Sequence, residues 1–249
     1  MPIDYARYRQ SSTEKARSED LLRILPANRS SVLDIGARDG HIAKLLRAYF
    51  PHVTALDITM PEFNLPGVTT VQGDVTKLQF RDGDFDVVCC LEVLEHIQPH
   101  LLEHACRELA RVAKHELIIG VPYRQDPRIG RTTCQACRRK NPPWGHVNSF
   151  DEARLRALFP ELKPASTTYV GTMHERTNAL SAFLMDLAGN PWGSYNQEEP
   201  CVFCGATMET PQISAPQRVC AHLAAQLNNL QSRLSVPKPI WIHTVFRKT

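Results

Sequence analysis

Four of the eight cysteines form two CxxC pairs, Cys134 with Cys137 and Cys201 with Cys204. Two intervening residues allow both thiolates of a pair to bind one zinc ion, with Zn–S distances of about 2.3 Å. The pairs are 63 residues apart, and neither segment has enough apolar residues to pack by itself. The spacing therefore predicts one structural Zn²⁺ bound by four thiolates, which would stabilise both segments. A redox pair or unconnected surface cysteines are the alternatives, although neither pair opens a predicted helix as redox CxxC motifs do.

A second chemical group is the segment EVLEH, with Glu92, Glu95 and His96, followed later by His146. Carboxylates and imidazoles can remove the proton of a substrate hydroxyl, so we predict these four residues as catalytic candidates. Together they could also bind Mg²⁺ or a second Zn²⁺, which would lower the pKa of a bound hydroxyl. In the alternative interpretation Glu92 contacts a cofactor, while Glu95 and His96 are structural.

A glycine-containing turn, GARDG at residues 36–40, directly follows the apolar run at 31–36. Asp57 lies 23 positions after Asp34, close to the spacing at which a carboxylate binds ribose hydroxyls. The turn is GxxxG and not GxGxxG, and its Asp39 would repel the pyrophosphate that a helix N-terminus can bind. The pattern favours a zwitterionic ligand that carries ribose but no phosphate.

Short apolar runs alternate with helical patterns and must position these residues. Strands are predicted at residues 31–36, 52–59, 68–74, 85–92, 115–122, 166–173 and 241–248. Helices are predicted at residues 41–50, 99–113, 149–160, 176–188 and 216–234. This alternation implies crossover connections and a parallel sheet. The predicted fold class is α/β, a Rossmann-like, doubly wound and mostly parallel seven-stranded sheet, in which the last strand lies at an edge.

The domain prediction is a single domain over residues 1–249 with two insertions, 123–148 and 190–235. These insertions carry the CxxC pairs, so the predicted zinc would staple them together. Tyr5 and Tyr8, with Arg7 and Arg9, are predicted to form an N-terminal lid over a cofactor or else a solvated tail.

Four stretches resemble, in chain order, the motifs of class I S-adenosylmethionine-dependent methyltransferases. They are VLDIGARDG, ALDIT, QGDVTKLQF and FDVVCCLEVLEHI. The resemblance covers roughly residues 30–160 and is strongest to the ubiquinone-biosynthesis O-methyltransferases, although Arg38 replaces the central glycine of motif I. It implies S-adenosylmethionine as the cofactor, with Asp57 binding the ribose and Asp74 and Val75 reading the adenine. The cofactor-binding residues it implies are Asp34, Gly36, Ala37, Arg38, Gly40, Asp57, Ile58, Asp74, Val75, Leu91 and Glu92.

The resemblance implies methylation of a small-molecule biosynthetic intermediate on oxygen, with the zinc segments shaping a substrate lid. An RNA 2′-O-methyltransferase is the second candidate, because EVLEH with His146 resembles the metal site of the small-RNA enzymes and a basic cluster lies at 128–140. A non-catalytic cofactor-binding or zinc-ribbon interaction module is the third candidate. N- and C-methylation stay open.

Composition limits the class of protein. The formal net charge is only +3, which disfavours nucleic acid as a partner. No apolar stretch reaches the roughly 18–20 residues that span a bilayer. Residues 1–20 are polar and lack the apolar core of a signal peptide, so the expected location is the cytoplasm. The sequence does not indicate an oligomeric state.

Overall fold

A seven-stranded sheet dominates the computed structural model, which describes residues 9–195, 197 and 199–248. Its strands are β1 (Ser31–Ile35), β2 (His52–Asp57), β3 (Val68–Gln72), β4 (Phe85–Leu91), β5 (Ala113–Pro122), β8 (Leu162–Val170) and β9 (Trp241–Lys248). The spatial order is β3-β2-β1-β4-β5-β9-β8. The first five of these pair in parallel, whereas β9 is antiparallel to both of its neighbours. The predicted mostly parallel seven-stranded α/β fold is confirmed.

The prediction that the last strand is an edge strand is wrong. Strand β9 lies between β5 and β8, and β8 is the edge strand on that side of the sheet. In the sequence, the polar residues His243 and Thr244 suggested a half-exposed strand, but both are buried. Their polar atoms are satisfied inside the protein, because His243 Nδ1 lies 2.7 Å from Asp20 Oδ2 and the Thr244 hydroxyl lies 3.4 Å from that of Thr167.

The chain divides into two compact units. The sheet unit comprises residues 12–123, 150–171 and 240–248, and the cysteine unit comprises the described residues up to 11 together with 124–149 and 172–239. Apart from residue 123, the predicted insertions fall within the cysteine unit. The assignment of a single domain stays a prediction, and the lid residues Tyr5, Arg7 and Tyr8 lie outside the described residues.

Helices of the sheet unit connect its strands. They are α1 (Ser12–Ile24), α2 (His41–Leu46), α3 (Leu102–Val112) and α4 (Glu152–Leu158). Helix α4 begins at the N-cap Asp151, whose carboxylate accepts a hydrogen bond from the Arg154 N–H. Helix α3 is strongly amphipathic, with Leu102, Leu109 and Val112 buried. Its apolar stripe faces the sheet, as expected for a crossover helix.

Apolar side chains cover both faces of the sheet. One buried cluster includes Phe150, Phe159 and Phe246, and the other includes Phe50 and Ile118. The central strand β4 is buried along most of its length, because a parallel sheet with helices on both faces has no solvated side.

The cysteine unit contains the hairpin strands β6 (Thr132–Thr133) and β7 (Lys140–Asn141), a 3₁₀ turn at Pro143–Gly145, and helices α5 (Ala179–Leu187) and α6 (Ala215–Leu234). The segment 123–148, predicted as a long loop, therefore contains a short antiparallel ladder. Among the described residues, no helix combines the length and the apolar character that crossing a membrane requires.

Candidate cofactor and metal sites

The turn between β1 and α2 is fixed by backbone hydrogen bonds. The N–H groups of Gly36 and Ala37 both donate to the carbonyl oxygen of Leu56, at 2.8 and 3.0 Å. Gly36 has φ 79°, and a Cβ atom there would lie 2.4 Å from Val93 Cγ2. Glycine is therefore required by both conformation and space.

Arg38 has φ 43° and so adopts the left-handed conformation that the glycine of the related motif adopts freely. An L-residue in this region costs about 1–2 kcal/mol. Its N–H donates to Asp57 Oδ2 at 3.0 Å, which compensates part of that cost and fixes the carboxylate beside the turn. Gly40 also has positive φ and precedes helix α2 directly.

The carboxyl ends of β1 to β4 meet at one edge of the sheet, because these strands are parallel and neighbours. Asp57 ends β2, and its carbonyl oxygen accepts from the Gly73 N–H at 2.8 Å. Asp74 follows β3 and accepts from both the N–H and the hydroxyl of Thr76, each at 2.8 Å. The fold therefore places the residues predicted to bind ribose and adenine at the edge where open α/β sheets bind ligands.

A cavity of about 330 Å³ adjoins Asp74 and is also lined by Leu56, Gly73 and Phe80. Its volume is at the lower end of the range for small-ligand pockets. Val75 is buried next to it, whereas Ile58, another predicted contact, is largely exposed.

Glu92 follows β4 in a left-handed conformation, with φ 57°. Its N–H donates to the carbonyl oxygen of Gly120 at 2.8 Å. Its Oε2 lies 3.0 Å from the Arg17 guanidinium and accepts from Trp241 Nε1 at 3.0 Å. Burial raises the pKa of the Glu92 carboxyl, and the Arg17 charge opposes that rise. Glu92 thus combines a left-handed backbone with a partly buried carboxyl group whose pKa is raised, and both features are typical of functional sites.

Helix α1 supplies functional residues that sequence reasoning missed. Glu14, Arg17 and Asp20 are buried on one face of this helix. Arg17 pairs with Glu14 at 2.9 Å, and its guanidinium lies 5.3 Å from the Trp241 ring centroid. The helix has no apolar stripe because its buried face is charged. Buried charges are rare without partners, and apart from the local Glu14–Arg17 pair the partners, Glu92 and His243, lie too far away in sequence to be recognised.

Glu95 and His96 lie in the turn after Glu92, where the His96 N–H donates to the Val93 carbonyl at 3.0 Å. The Glu95 side chain is fully buried, and neither carboxylate oxygen has a hydrogen-bond partner among the described residues. Burial raises the pKa of Glu95 well above its usual range, and the Glu92 charge raises it further. The site thus holds a carboxyl group that takes up a proton easily. The turn contains no regular helix.

His146 lies in the cysteine unit, directly after the 3₁₀ turn. Its Nδ1 is 2.6 Å from Gln125 Oε1. Because an amide oxygen only accepts hydrogen bonds, this contact favours the form of His146 that carries a proton on Nδ1. The role of His146 beside Glu92, Glu95 and His96 stays a prediction.

The four cysteines of the CxxC pairs come together in the cysteine unit. Cys134 Sγ lies 3.6 Å from Cys204 Sγ, and Cys137 Sγ lies 3.7 Å from Cys201 Sγ. All four sulfur atoms are within 4.8 Å of one another. A tetrahedral ion with Zn–S bonds of 2.3 Å places its sulfurs about 3.8 Å apart. The four thiols therefore have the spacing of a closed tetrahedral metal site.

Backbone geometry supports a thiolate at Cys134, whereas burial raises the pKa of Cys201. The N–H groups of Cys137 and Ala136 donate to the Cys134 sulfur and, against the opposing effect of burial, lower its pKa to about 7. The residue after each pair, Arg138 or Gly205, has positive φ, 61° and 72°. The two pairs are thus equivalent turns, and each points both of its sulfurs inward.

Two polar side chains hold the turns in place. The buried Asn141 amide accepts from the Val202 N–H at 2.8 Å and so joins the two cysteine segments. The Tyr195 hydroxyl accepts from the Thr133 N–H at 3.1 Å and donates to the Asn190 carbonyl at 2.9 Å. These bonds help to hold the two cysteine segments together.

Residues 33–119 match the methyltransferase domain family. The segment begins on β1 and ends on β5, so it includes the GARDG turn, Asp57, Asp74 and Glu92. The chain carries an S-adenosylmethionine-dependent methyltransferase domain. The match lies within the sheet unit and includes no residue of the cysteine unit.

Among curated proteins, the chain is 30% identical over 92 residues to a ubiquinone biosynthesis O-methyltransferase of Paraburkholderia xenovorans. The aligned region covers 32% of this chain and 40% of the relative. It is 37% identical over 105 residues to a malonyl-[acyl-carrier protein] O-methyltransferase of Herminiimonas arsenicoxydans. This alignment covers 40% of the chain and 38% of the relative. The chain spans about 38–54% of the length of the curated relatives that it matches.

Solved methyltransferase structures share the fold. One is the Burkholderia thailandensis 1,6-didemethyltoxoflavin N1-methyltransferase with bound 1,6-didemethyltoxoflavin and S-adenosylhomocysteine. It matches with a TM-score of 0.56 at 15% identity and covers 98% of this chain and 81% of that chain. At this identity the likeness establishes the architecture alone.

Proposed function

We propose that this protein transfers a methyl group from S-adenosylmethionine to an oxygen atom of a small-molecule biosynthetic intermediate. The observation that carries the proposal is the GARDG turn with the Asp57 carboxylate fixed beside it by the Arg38 N–H at 3.0 Å. The Asp57 carboxylate is an anionic hydrogen-bond acceptor at the carboxyl edge of the sheet, which suits ribose hydroxyls and would repel a phosphate group. The O-methyltransferases among the relatives favour oxygen as the acceptor atom.

The proposed binding roles follow from the positions of the side chains. Asp57 accepts hydrogen bonds from the ribose hydroxyls, and the cavity beside Asp74 takes the adenine. The tight turn at Gly36 lets the backbone approach the ligand closely. When bound, S-adenosylmethionine supplies an electrophilic methyl group on a sulfonium.

The acceptor hydroxyl must lose its proton as its oxygen attacks. Glu95 is our candidate for the residue that takes this proton, because a carboxylate whose pKa is raised by burial is a stronger base than an exposed one. The neighbouring Glu92, held by Arg17 and Trp241, raises the pKa of Glu95 further when it is ionised. His96 and His146 are secondary candidates, as bases or as ligands of Mg²⁺ or a second Zn²⁺ that would polarise the hydroxyl.

The experiment that tests this function is label transfer from methyl-labelled S-adenosylmethionine into fractionated cell extract, with and without EDTA. We expect label in the small-molecule fraction. Label in RNA would instead favour a 2′-O-methyltransferase, and cofactor binding without label in any fraction would favour a non-catalytic module. Loss of transfer in EDTA at unchanged cofactor affinity would support a metal at the acceptor. The cytoplasmic location also stays a proposal.

A structural Zn²⁺ bound by the four clustered thiolates is part of the same proposal. Such an ion holds two distant segments together and so rigidifies the unit that carries them. We expect one zinc per chain in the purified protein and none in Cys201→Ser, measured by atomic emission. Cys220→Ser, which changes a cysteine outside the cluster, is the matched control and should keep its zinc.

A further inference from the structure

A second cavity, of about 300 Å³, lies wholly within the cysteine unit. Four chain segments line it: residues 128–131, 176–185, 190–193 and 225–229. Its lining includes three arginines and three asparagines but no acidic residue. The proposed methyl transfer uses none of these residues.

Acidic residues outside the cavity lining hold two of the arginines. Asp126 binds the Arg128 guanidinium through two nitrogens, at 2.7 and 2.9 Å. Asp186 forms an ion pair with Arg131. Each of these carboxylates occupies only part of a guanidinium that has five N–H donors. The two side chains are thereby preorganised, which reduces the entropy lost when they bind a ligand.

The third arginine is available for a ligand. Arg176 is exposed and makes no hydrogen bond or ion pair with any other described residue. The cavity lining thus contains one guanidinium, that of Arg176, without a carboxylate partner in the residues that the structure describes, which favours an oxyanion as the ligand because arginine binds carboxylate and phosphate through paired N–H groups.

Buried acceptors in the same lining require hydrogen-bond donors. Asn190 is 1% exposed, its Nδ2 donates to Thr133 Oγ1 at 3.0 Å, and its Oδ1 has no partner among the described residues. The buried Oδ1 of Asn228 likewise has no partner in the described part of the chain. An unsatisfied buried acceptor is unfavourable, so a ligand that donates an N–H or O–H to these amides would be stabilised by them.

The apolar part of the lining indicates the body of the ligand. Trp192 lies at the cavity and is 49% exposed, and Ile129 and Met185 also line it. An indole with a free face binds a flat ring. We propose that this cavity binds a small aromatic oxyanion, a carboxylate or phosphate monoester that also carries a hydrogen-bond donor.

The test is isothermal titration of the purified full-length protein in low-salt buffer with phenyl phosphate, 4-hydroxybenzoate and neutral benzyl alcohol. We expect at least one anion to bind tenfold more tightly than benzyl alcohol. Stronger binding of phenyl phosphate would identify a phosphate ester as the ligand class, and stronger binding of the benzoate would identify a carboxylate. Equal affinity for all three compounds, or no binding, would overturn the proposal.

Two variants locate the binding. Arg176→Gln should weaken anion binding at least fivefold, and Asn228→Asp, which places a negative charge in the cavity, should weaken it at least tenfold. Arg218→Gln removes an exposed arginine of helix α6 that does not line the cavity, and it should bind as the wild type does. Arg176 has no partner to lose, so its variant should keep the wild-type unfolding midpoint. Anion binding that is unchanged in Arg176→Gln and Asn228→Asp would also contradict the proposal.

Discussion

Asp57 is the residue on which cofactor binding depends most directly. Its carboxylate already accepts from the Arg38 N–H, so it is held in place before a ligand arrives. We predict that Asp57→Asn raises the Kd for S-adenosylhomocysteine about 10- to 100-fold, since a hydrogen bond to a charged group contributes about 1.5–3 kcal/mol. Isothermal titration measures this effect.

Asp84→Asn is the control for that substitution. Asp84 lies directly before the amino end of β4, whereas Asp57 lies at the carboxyl end of β2. Its variant should bind S-adenosylhomocysteine with wild-type affinity. An Asp57→Asn protein with unchanged affinity would show that the ribose lies elsewhere.

Asp86 links acid stability to one carboxylate. It accepts from the Ser30 hydroxyl at 2.7 Å and from the Ser30 and Ser31 N–H groups at 2.9 and 3.2 Å. The Ser30 hydroxyl, followed by those N–H groups and Lys114, lowers the pKa of Asp86 to about 2, although burial opposes the shift. A lowered folded-state pKa means that the ionised form stabilises the fold above the unfolded pKa of about 3.9.

We therefore predict that Asp86→Asn reduces the free energy of unfolding by about 1–2 kcal/mol at pH 7. The difference from wild type should shrink as pH falls from about 4 and become small near pH 2, where Asp86 is protonated in the unfolded state and half protonated in the folded state. Urea unfolding at several pH values tests this. A difference that stays constant down to pH 2 would show that the carboxylate charge contributes nothing.

The two cysteine turns offer a matched pair of substitutions at the level of the element. Gly205 and Arg138 occupy equivalent positions, and both have positive φ. A Cβ at Gly205 would meet no atom within 4 Å, so only backbone strain opposes a side chain there. Gly205→Ala should therefore destabilise the protein by about 1 kcal/mol. Arg138→Gly should be neutral or stabilising, although it loses the Gln135 contact. Equal destabilisation by both variants would argue against this account.

Elements whose side chains follow a simple apolar pattern were predictable from the sequence. The strands β1 to β5 occur where the short apolar runs placed them, and all except the edge strand β3 contain buried residues, as expected for a parallel sheet covered by helices. Helix α1 and the inner position of β9 were not predictable. Both depend on polar pairs such as Asp20 with His243, whose members are 223 positions apart. Polar residues that are buried only because a distant partner exists cannot be distinguished in sequence from exposed ones.

The same distinction holds at the candidate sites. The turn at residues 36–40, Asp57 and the cysteine cluster follow from local spacing, so the sequence could indicate them. The Arg17 guanidinium on Glu92 is invisible to spacing, because a helix about 75 residues earlier supplies it. Networks of this kind appear only once the topology brings their members together.

At the scale of the whole molecule, the two units differ in how they can be stabilised. The sheet unit has two apolar clusters of 25 and 12 buried residues. The apolar cluster of the cysteine unit has four buried members, of which two are Cys134 and Cys201 themselves. The buried residues between α5 and α6 are small, with Ala182, Ala221 and Ala224 among them. So few apolar side chains rarely keep a unit folded without a metal or disulfide.

Removal of zinc should therefore loosen one unit selectively. After treatment with a strong chelator at pH 7, we predict at least tenfold faster amide exchange in residues 124–149 and 172–239. Exchange in β1, β4 and β5 should stay at its original rate, because the apolar core of the sheet unit needs no metal. Hydrogen–deuterium exchange mass spectrometry measures both regions in one sample, and Cys201→Ser should reproduce the pattern without chelator. Exchange that rises equally everywhere would mean that the metal stabilises the sheet as well, and unchanged exchange would mean that the four thiols hold no structural ion.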